Sequence, residues 1–171
     1  MRRALPVALG AAAVGAVLYA RRDSGAPTPQ WAGRLATWVP PRPATPRARL
    51  LTTVWAAPMS LAGLLIGAAA GVRPRLLPEG VVLFAPAAGL TGRIIRARGF
   101  SAAAFGHVIV SVTEPAPALL AHELVHVRQA ERLGAFMAPV YLGLLARFGY
   151  RDHPLEMAAR LGAAHRGARE A

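Results

Sequence analysis

Residues 119–129, Leu-Leu-Ala-His-Glu-Leu-Val-His-Val-Arg-Gln, carry the most specific chemical pattern in the chain. His122 and His126 stand four apart, and on a helix that spacing stacks two imidazoles on one face, where both reach one metal ion. Imidazole suits zinc, and a catalytic zinc site takes three protein ligands and keeps one position open for water. Glu123 lies roughly 100° around the helix from His122, within reach of a water in that open position without being a ligand itself. That is the place of a general base. A pattern with three fixed positions also arises by chance, its histidines then lying on a surface or being satisfied in a core. Against chance, 118–133 contains no Pro or Gly, and the residues around the histidines are uncharged. Burying two His and a Glu there costs on the order of several kcal/mol unless something pairs with them, which a metal does.

The third ligand belongs downstream. An apolar stretch, 135–148, is followed by a break at Gly149-Tyr150-Arg151-Asp152 and then by His153-Pro154-Leu155-Glu156. Pro154 fits the first position of a helix, where its missing N–H is not needed. Glu156 then lies in the first turn, where the helix dipole favours a carboxylate. Read by itself, Glu156 serves equally well as an ordinary helix-N-terminal acid. Thirty residues separate it from His126, enough for one helix and a return.

This arrangement resembles the gluzincin group of zincin metallopeptidases, to which thermolysin belongs. The resemblance rests on His122-Glu-Leu-Val-His-Val-Arg-Gln129, on the Glu-Arg-Leu-Gly that follows, and on Tyr-Arg-Asp-His-Pro-Leu-Glu-Met-Ala, and covers about residues 106–165. Small bacterial zinc-peptidase-like proteins look similar. The resemblance implies one zinc ion held by His122, His126 and Glu156, Glu123 as catalytic base, and a peptide or protein substrate. It also implies a strand beside the helix that binds substrate backbone, for which 107–113 is the candidate. One departure stands out: thermolysin-like enzymes place Asp four residues after the ligand Glu, and this chain has Arg160.

Other polar residues in this part have weaker claims. Gln129 shares the ligand face and could orient a ligand, or simply pack. Arg160, at i+4 from Glu156, could hold that carboxylate or a developing oxyanion, or make a surface ion pair. Tyr150 and His153 precede the ligand helix and could donate to the same oxyanion. His107 reads as a strand-end surface residue.

The elements that must position these residues occupy a chain of 171 residues, enough for one compact domain plus a membrane or targeting segment. There is no cysteine, which excludes disulfides and thiolate metal sites. All 20 basic residues are Arg, against 8 acids, a net charge of +12. Residues 114–171 hold seven Arg and six acids, so the excess lies upstream, flanking apolar segments. Nucleic-acid binding wants basic residues clustered with aromatics, so membrane-flanking charge is the better account.

Residues 1–22 read as a signal-anchor or transmembrane segment, with seventeen uncharged residues between Arg2-Arg3 and Arg21-Arg22. Residues 23–49, rich in Pro and Arg, read as an extended linker. Residues 50–72 are twenty-three uncharged residues, long enough to span a bilayer or to form a core helix. Residues 79–171 form the zincin-like domain. Two spans would place its metal site on the cytoplasmic side of a bacterial inner membrane.

Short strands are expected at 81–84, 93–98 and 107–113, the last with Val108, Val110 and Val112 on one face. The expected fold is α+β: short strands, the His-Glu-x-x-His helix and two further helices, preceded by one or two hydrophobic helices. The expected function is a membrane-associated zinc metallopeptidase. A zinc-binding membrane protein without protease activity is the competing reading, and an accidental motif the third.

Overall fold

A computed structural model describes residues 29–170, with the side chains of 169 and 170 left aside. The expected anchor at 1–22 lies outside the described residues. The fold is α+β, built around a small mixed sheet of order β1-β2-β4-β3. β1 (Arg75–Leu76) runs antiparallel to β2 (Val82–Phe84), β2 runs parallel to β4 (Val108–Ser111), and β3 (Ala102–Phe105) runs antiparallel to β4. β3 therefore forms one edge.

The alternation along β2 and β4 divides the core. Phe84, Val108 and Val110 face one side with Ala70, Ala87, Ile95 and Val112, while Leu83 and Ile109 face the other with Val81, Leu124 and Val127. Helices cover both faces, which is why all four residues of β4 are buried. A third cluster, Ala130, Met137, Leu144 and Leu155, joins the C-terminal helices to one another.

Residues 50–72 do not form one span. They belong to α2 (Pro46–Trp55) and α3 (Ala57–Ala68), which meet at a 67° bend. Pro58 is the physical cause: it lies in the first turn of α3, and a helix continuing from α2 would drive its ring into the carbonyl of Val54. No single helix among the described residues is long and apolar enough to cross a membrane. α3 lies against the sheet through glycine, since a Cβ on Gly63 would stand 2.7 Å from Phe105 Cβ and 2.8 Å from Val108 Cβ, and one on Gly67 would overlap the Phe84 ring.

Two further expectations need correction. Residues 30–49 are not an extended linker: Gln30–Ala36 form α1, which buries Ala32 and packs against the last helix, and Trp31 meets Phe148 edge to face. Trp38 packs into the third cluster, and Arg132 donates to the carbonyl of Pro41, so burial of aromatic area outweighs the prolines. Residues 93–98 are helical within α4 (Gly89–Ala97), because Thr91, Gly92 and Ile95 fall on one face at helical spacing and are buried together. Arg96 fastens this helix to the carbonyls of Ala87 and Val112.

The remaining helices are α5 (Pro117–Leu133), α6 (Met137–Phe148) and α7 (Pro154–Glu170), with a single 3-10 turn, Gly134–Phe136, between α5 and α6. α5 crosses β3, and α7 packs along α5, with Gly162 against Val125.

Candidate metal centre

α5 starts at Pro117, a first-turn proline, and runs without interruption until Gly134, whose φ of +56° ends it. The regular turn between puts His122 and His126 one above the other, with their Nε2 atoms 3.2 Å apart. α7 starts at Pro154 and brings Glu156, in its first turn, up to both. Glu156 Oε2 stands 3.3 Å from His122 Nε2, and Glu156 Oε1 stands 3.2 Å from His126 Nε2. The three residues that the motif and its distant glutamate nominate are thus one cluster that could hold a metal ion.

The spacing carries information about what fits. Ligands at about 2.0–2.1 Å from a tetrahedral zinc stand about 3.3 Å from one another. The separations here, 3.2 to 3.3 Å, are close to that value. Glu156 Oε2 is buried, with the His122 ring nitrogen 3.3 Å away as the partner with which it would share a cation.

Supporting bonds orient each donor. His126 Nδ1–H donates to Gln129 Oε1 at 2.9 Å, which leaves the Nε2 lone pair free to point into the site. Gln129 is fully buried, and its amide nitrogen donates to the Leu155 carbonyl, tying α5 to the turn that carries Glu156. Tyr141, on α6, donates from its hydroxyl to Glu156 Oε1 at 2.7 Å. Its signal in the sequence is faint: one phenol in the apolar stretch 135–148.

Burial would push the Glu156 carboxyl up, but hydrogen bonds from His122 and His126, the charge of His126 and the Tyr141 hydroxyl hold it well below the usual carboxylate range. Burial pulls His126 down, yet the hydrogen bond and charge of Glu156 outweigh this and leave it raised. Burial raises Tyr141, with Glu156 adding to the effect, so it remains a donor.

Glu123 is buried beside the cluster, with Oε2 unpartnered. Desolvation raises its pKa, the charges of His126 and His122 oppose that, and Glu156 adds to it. His122, Glu123, His126 and Glu156 all line one cavity of about 360 Å³. The rest of its wall is mostly apolar, from Met59, Phe100, β3, Met137, Leu142 and Leu145. Tyr150 also lines it, edge-on to Phe100, and burial with the nearby Glu156 raises the phenol.

Two expected contributors stand elsewhere. Arg160 spends its guanidinium on the Arg151 carbonyl at 2.6 Å on an exposed surface, because its side chain turns back over the preceding turn instead of toward Glu156. His153 is fully buried and has both ring nitrogens engaged: Nε2–H donates to the Tyr141 carbonyl, and Nδ1 accepts from Leu155 N–H. Desolvation lowers its pKa, in keeping with that neutral tautomer. It positions α7 against α6 and does not line the cavity.

His107 is likewise not a surface residue: it is buried, its Nε2 3.1 Å from Glu131, which Arg128 also binds. The residues 107–113 cannot accept an added strand, because β4 is already paired on both sides; the edge beside α5 belongs to β3. β3 escapes sequence reading because Ala102-Ala103-Ala104 has little strand propensity.

No protein-family model matches the chain, and neither curated proteins nor solved structures give a match.

Proposed function

We propose that the chain is a zinc-dependent metallopeptidase of gluzincin type, with His122, His126 and Glu156 as ligands and Glu123 as general base. The observation that carries the reading is the pairing of a three-donor cluster, spaced as tetrahedral ligands are, with an unpartnered buried carboxylate on the same cavity wall. When bound, zinc would supply Lewis acidity toward a carbonyl oxygen and acidify water.

The chain's own residues account for the remaining steps. An extended peptide adds to the edge of β3, which is unpaired among the described residues and whose residues 102–105 form part of the cavity wall. Glu123 accepts a proton from the attacking water as that water bonds to the peptide carbon, and returns it to the nitrogen as the C–N bond breaks. Its raised pKa suits both halves of that transfer, since a weaker acid is a better base near neutral pH. Tyr150, a phenol on the cavity wall beside Glu156, is the donor for the oxygen that gains charge.

The competing reading, a zinc site that supports the fold alone, gives no role to Glu123 and no use for a cavity beside the ligands. The experiment is zinc content per chain together with hydrolysis of a fluorogenic peptide library by the wild type and Glu123→Gln. One zinc in both proteins, with hydrolysis lost by about 10² to 10⁴ in the variant, is expected. Zinc without hydrolysis in the wild type favours the structural reading, and no zinc refutes both.

A further inference from the structure

We infer that the broken helix pair α2–α3 is a docking surface for an anionic lipid bilayer, lying in its interface and not crossing it. The inference stands apart from the metal chemistry. α3 has no charged residue, yet only one side of it packs on the sheet, through Gly63 and Gly67. The opposite side presents Leu61, Leu64 and Leu65, exposed by 61%, 40% and 76%. α2 buries no residue and adds Leu50, Leu51 and Val54, each more than 60% exposed. Helices apolar on the side away from their own core need a second apolar phase, and contiguous exposed patches of this kind mark interaction sites.

Charge selects the occupant. Arg47 and Arg49 precede the apolar stretch and Arg73 follows it, while Arg75 is paired with Glu114. Residues 1–113 contain thirteen Arg and two acids, so this part of the chain is strongly cationic. A second copy docking face to face would bring these arginines against their own counterparts. The uncharged residues 4–20 of the same chain are themselves bracketed by Arg2, Arg3, Arg21 and Arg22, so covering the face with them repeats the conflict. Anionic headgroups above an acyl phase satisfy both the apolar face and its rim.

The surface also extends toward the cavity. Trp55, at the end of α2, meets Phe136 at 6.2 Å between ring centroids, Phe136 is 61% exposed, and the next residue, Met137, lines the cavity with Met59 and the exposed Leu142. A bilayer on this face would stand beside the cavity, and the site would meet peptide segments that emerge from lipid. That last consequence alone rests on the metallopeptidase reading.

The chain has no cysteine, so one introduced thiol can be labelled uniquely. Leu65→Cys, and Arg166→Cys on the far end of α7 as control, are labelled in the full-length protein with an environment-sensitive fluorophore. Each is mixed with vesicles of phosphatidylcholine plus phosphatidylglycerol, or of phosphatidylcholine alone. The expected result is a blue shift and quenching by brominated lipid at position 65, with the anionic vesicles only, and no change at 166. Adding Leu61→Glu and Leu64→Glu should weaken the partitioning seen at position 65 by about tenfold or more, as the lost apolar area requires. A label at 65 that stays in water while the protein sediments with vesicles overturns the proposal. So does an equal shift in phosphatidylcholine alone. A label already shielded without lipid also overturns it, assigning the face to residues 1–28 if the protein is monomeric by sedimentation equilibrium and to a second copy if it is dimeric. Removing zinc, or Glu123→Gln, should leave all these readings unchanged.

Discussion

Gln129→Leu isolates the orienting role of one buried amide. The replacement is close in volume and leaves His122, His126 and Glu156 in place, but it deletes the acceptor of His126 Nδ1–H and the donor to the Leu155 carbonyl. Leu155 lies inside α7, where its carbonyl is also the acceptor of a helical bond, so the larger loss falls on His126. Its buried N–H has no other partner, an orphan worth about 1–3 kcal/mol in the metal-free fold. The imidazole relieves this by moving its proton to Nε2, which is the atom that faces His122 and Glu156. Metal must then displace that tautomer. Loss of such an orienting bond weakens metal binding by about 10- to 100-fold. At about 1.4 kcal/mol for each factor of ten, this is about 1.4–2.8 kcal/mol. The assay is competition for zinc against a fluorescent chelator, alongside urea unfolding of the metal-free protein to separate affinity from stability. A variant that loses stability but binds zinc with unchanged affinity would refute the reasoning, because it would make Gln129 a packing residue only.

Three further outcomes test neighbouring parts of the structure. Tyr141→Phe removes the hydroxyl on Glu156 Oε1 and should weaken zinc binding by about tenfold, the worth of one charge-assisted hydrogen bond; unchanged affinity would show that the phenol does not hold the ligand. Gly63→Ala should destabilise the fold by about 1–3 kcal/mol despite alanine's better helix propensity, because the new methyl meets Phe105 and Val108. An equal or higher urea midpoint would mean that α3 does not approach the sheet so closely. In the metal-free protein the raised pKa of His126 adds stability that is complete below its unfolded value of about 6.5 and fades as pH rises through the folded one. The depressed Glu156 adds stability present above its unfolded value of about 4.3 and lost as pH falls toward the folded one. Melting temperature without zinc should therefore peak on the acidic side of neutrality, and zinc affinity should rise with pH as His126 releases its proton. A melting temperature that climbs steadily from pH 5 to 9, or zinc affinity that is flat over that range, would contradict the proposed His126–Glu156 coupling.

What the residues disclosed, and what they hid, divides along physical lines. His122, Glu123 and His126 are legible because four-residue spacing is local and helical geometry converts it directly into a shared face. Glu156 is legible from local pattern as a helix-N-terminal acid and as a ligand only through the family resemblance; its approach to the histidines depends on how α6 turns the chain, which no local pattern encodes. β4 is legible from its valine alternation, and α4 is not, because Arg-Ile-Ile-Arg fits two periods equally over so short a run. The apolar run 50–72 gives hydropathy but not direction: Pro58 bends it, and the close approach of Gly63 and Gly67 to the sheet becomes visible only when the partner is in place. Tyr141 and His153 are hidden for the same reason, since each acquires its role from an element distant in sequence.

The polar content of α5 follows from its having two loaded ends. Glu123, His126, Arg128, Gln129 and Glu131 are all buried on one helix, an arrangement that costs stability unless each group is paired. At the far end, Arg128 and His107 both bind Glu131, joining α5 to the start of β4. His107 also closes the β3–β4 turn, where Gly106 takes φ +58° and His107 N–H donates to Ser60 on α3. This second cluster therefore fixes the end of β3 relative to α5 and α3, and β3 forms a wall of the metal-site cavity. A buried ion pair is poor evidence for net stability, but breaking one by removing a single partner costs about 3–5 kcal/mol. The cost resists any sliding of α5 along the sheet. His122 and Glu123 thus face an edge strand whose register is held from the opposite end of their own helix, which fixes the distance between the Glu123 carboxylate and that strand.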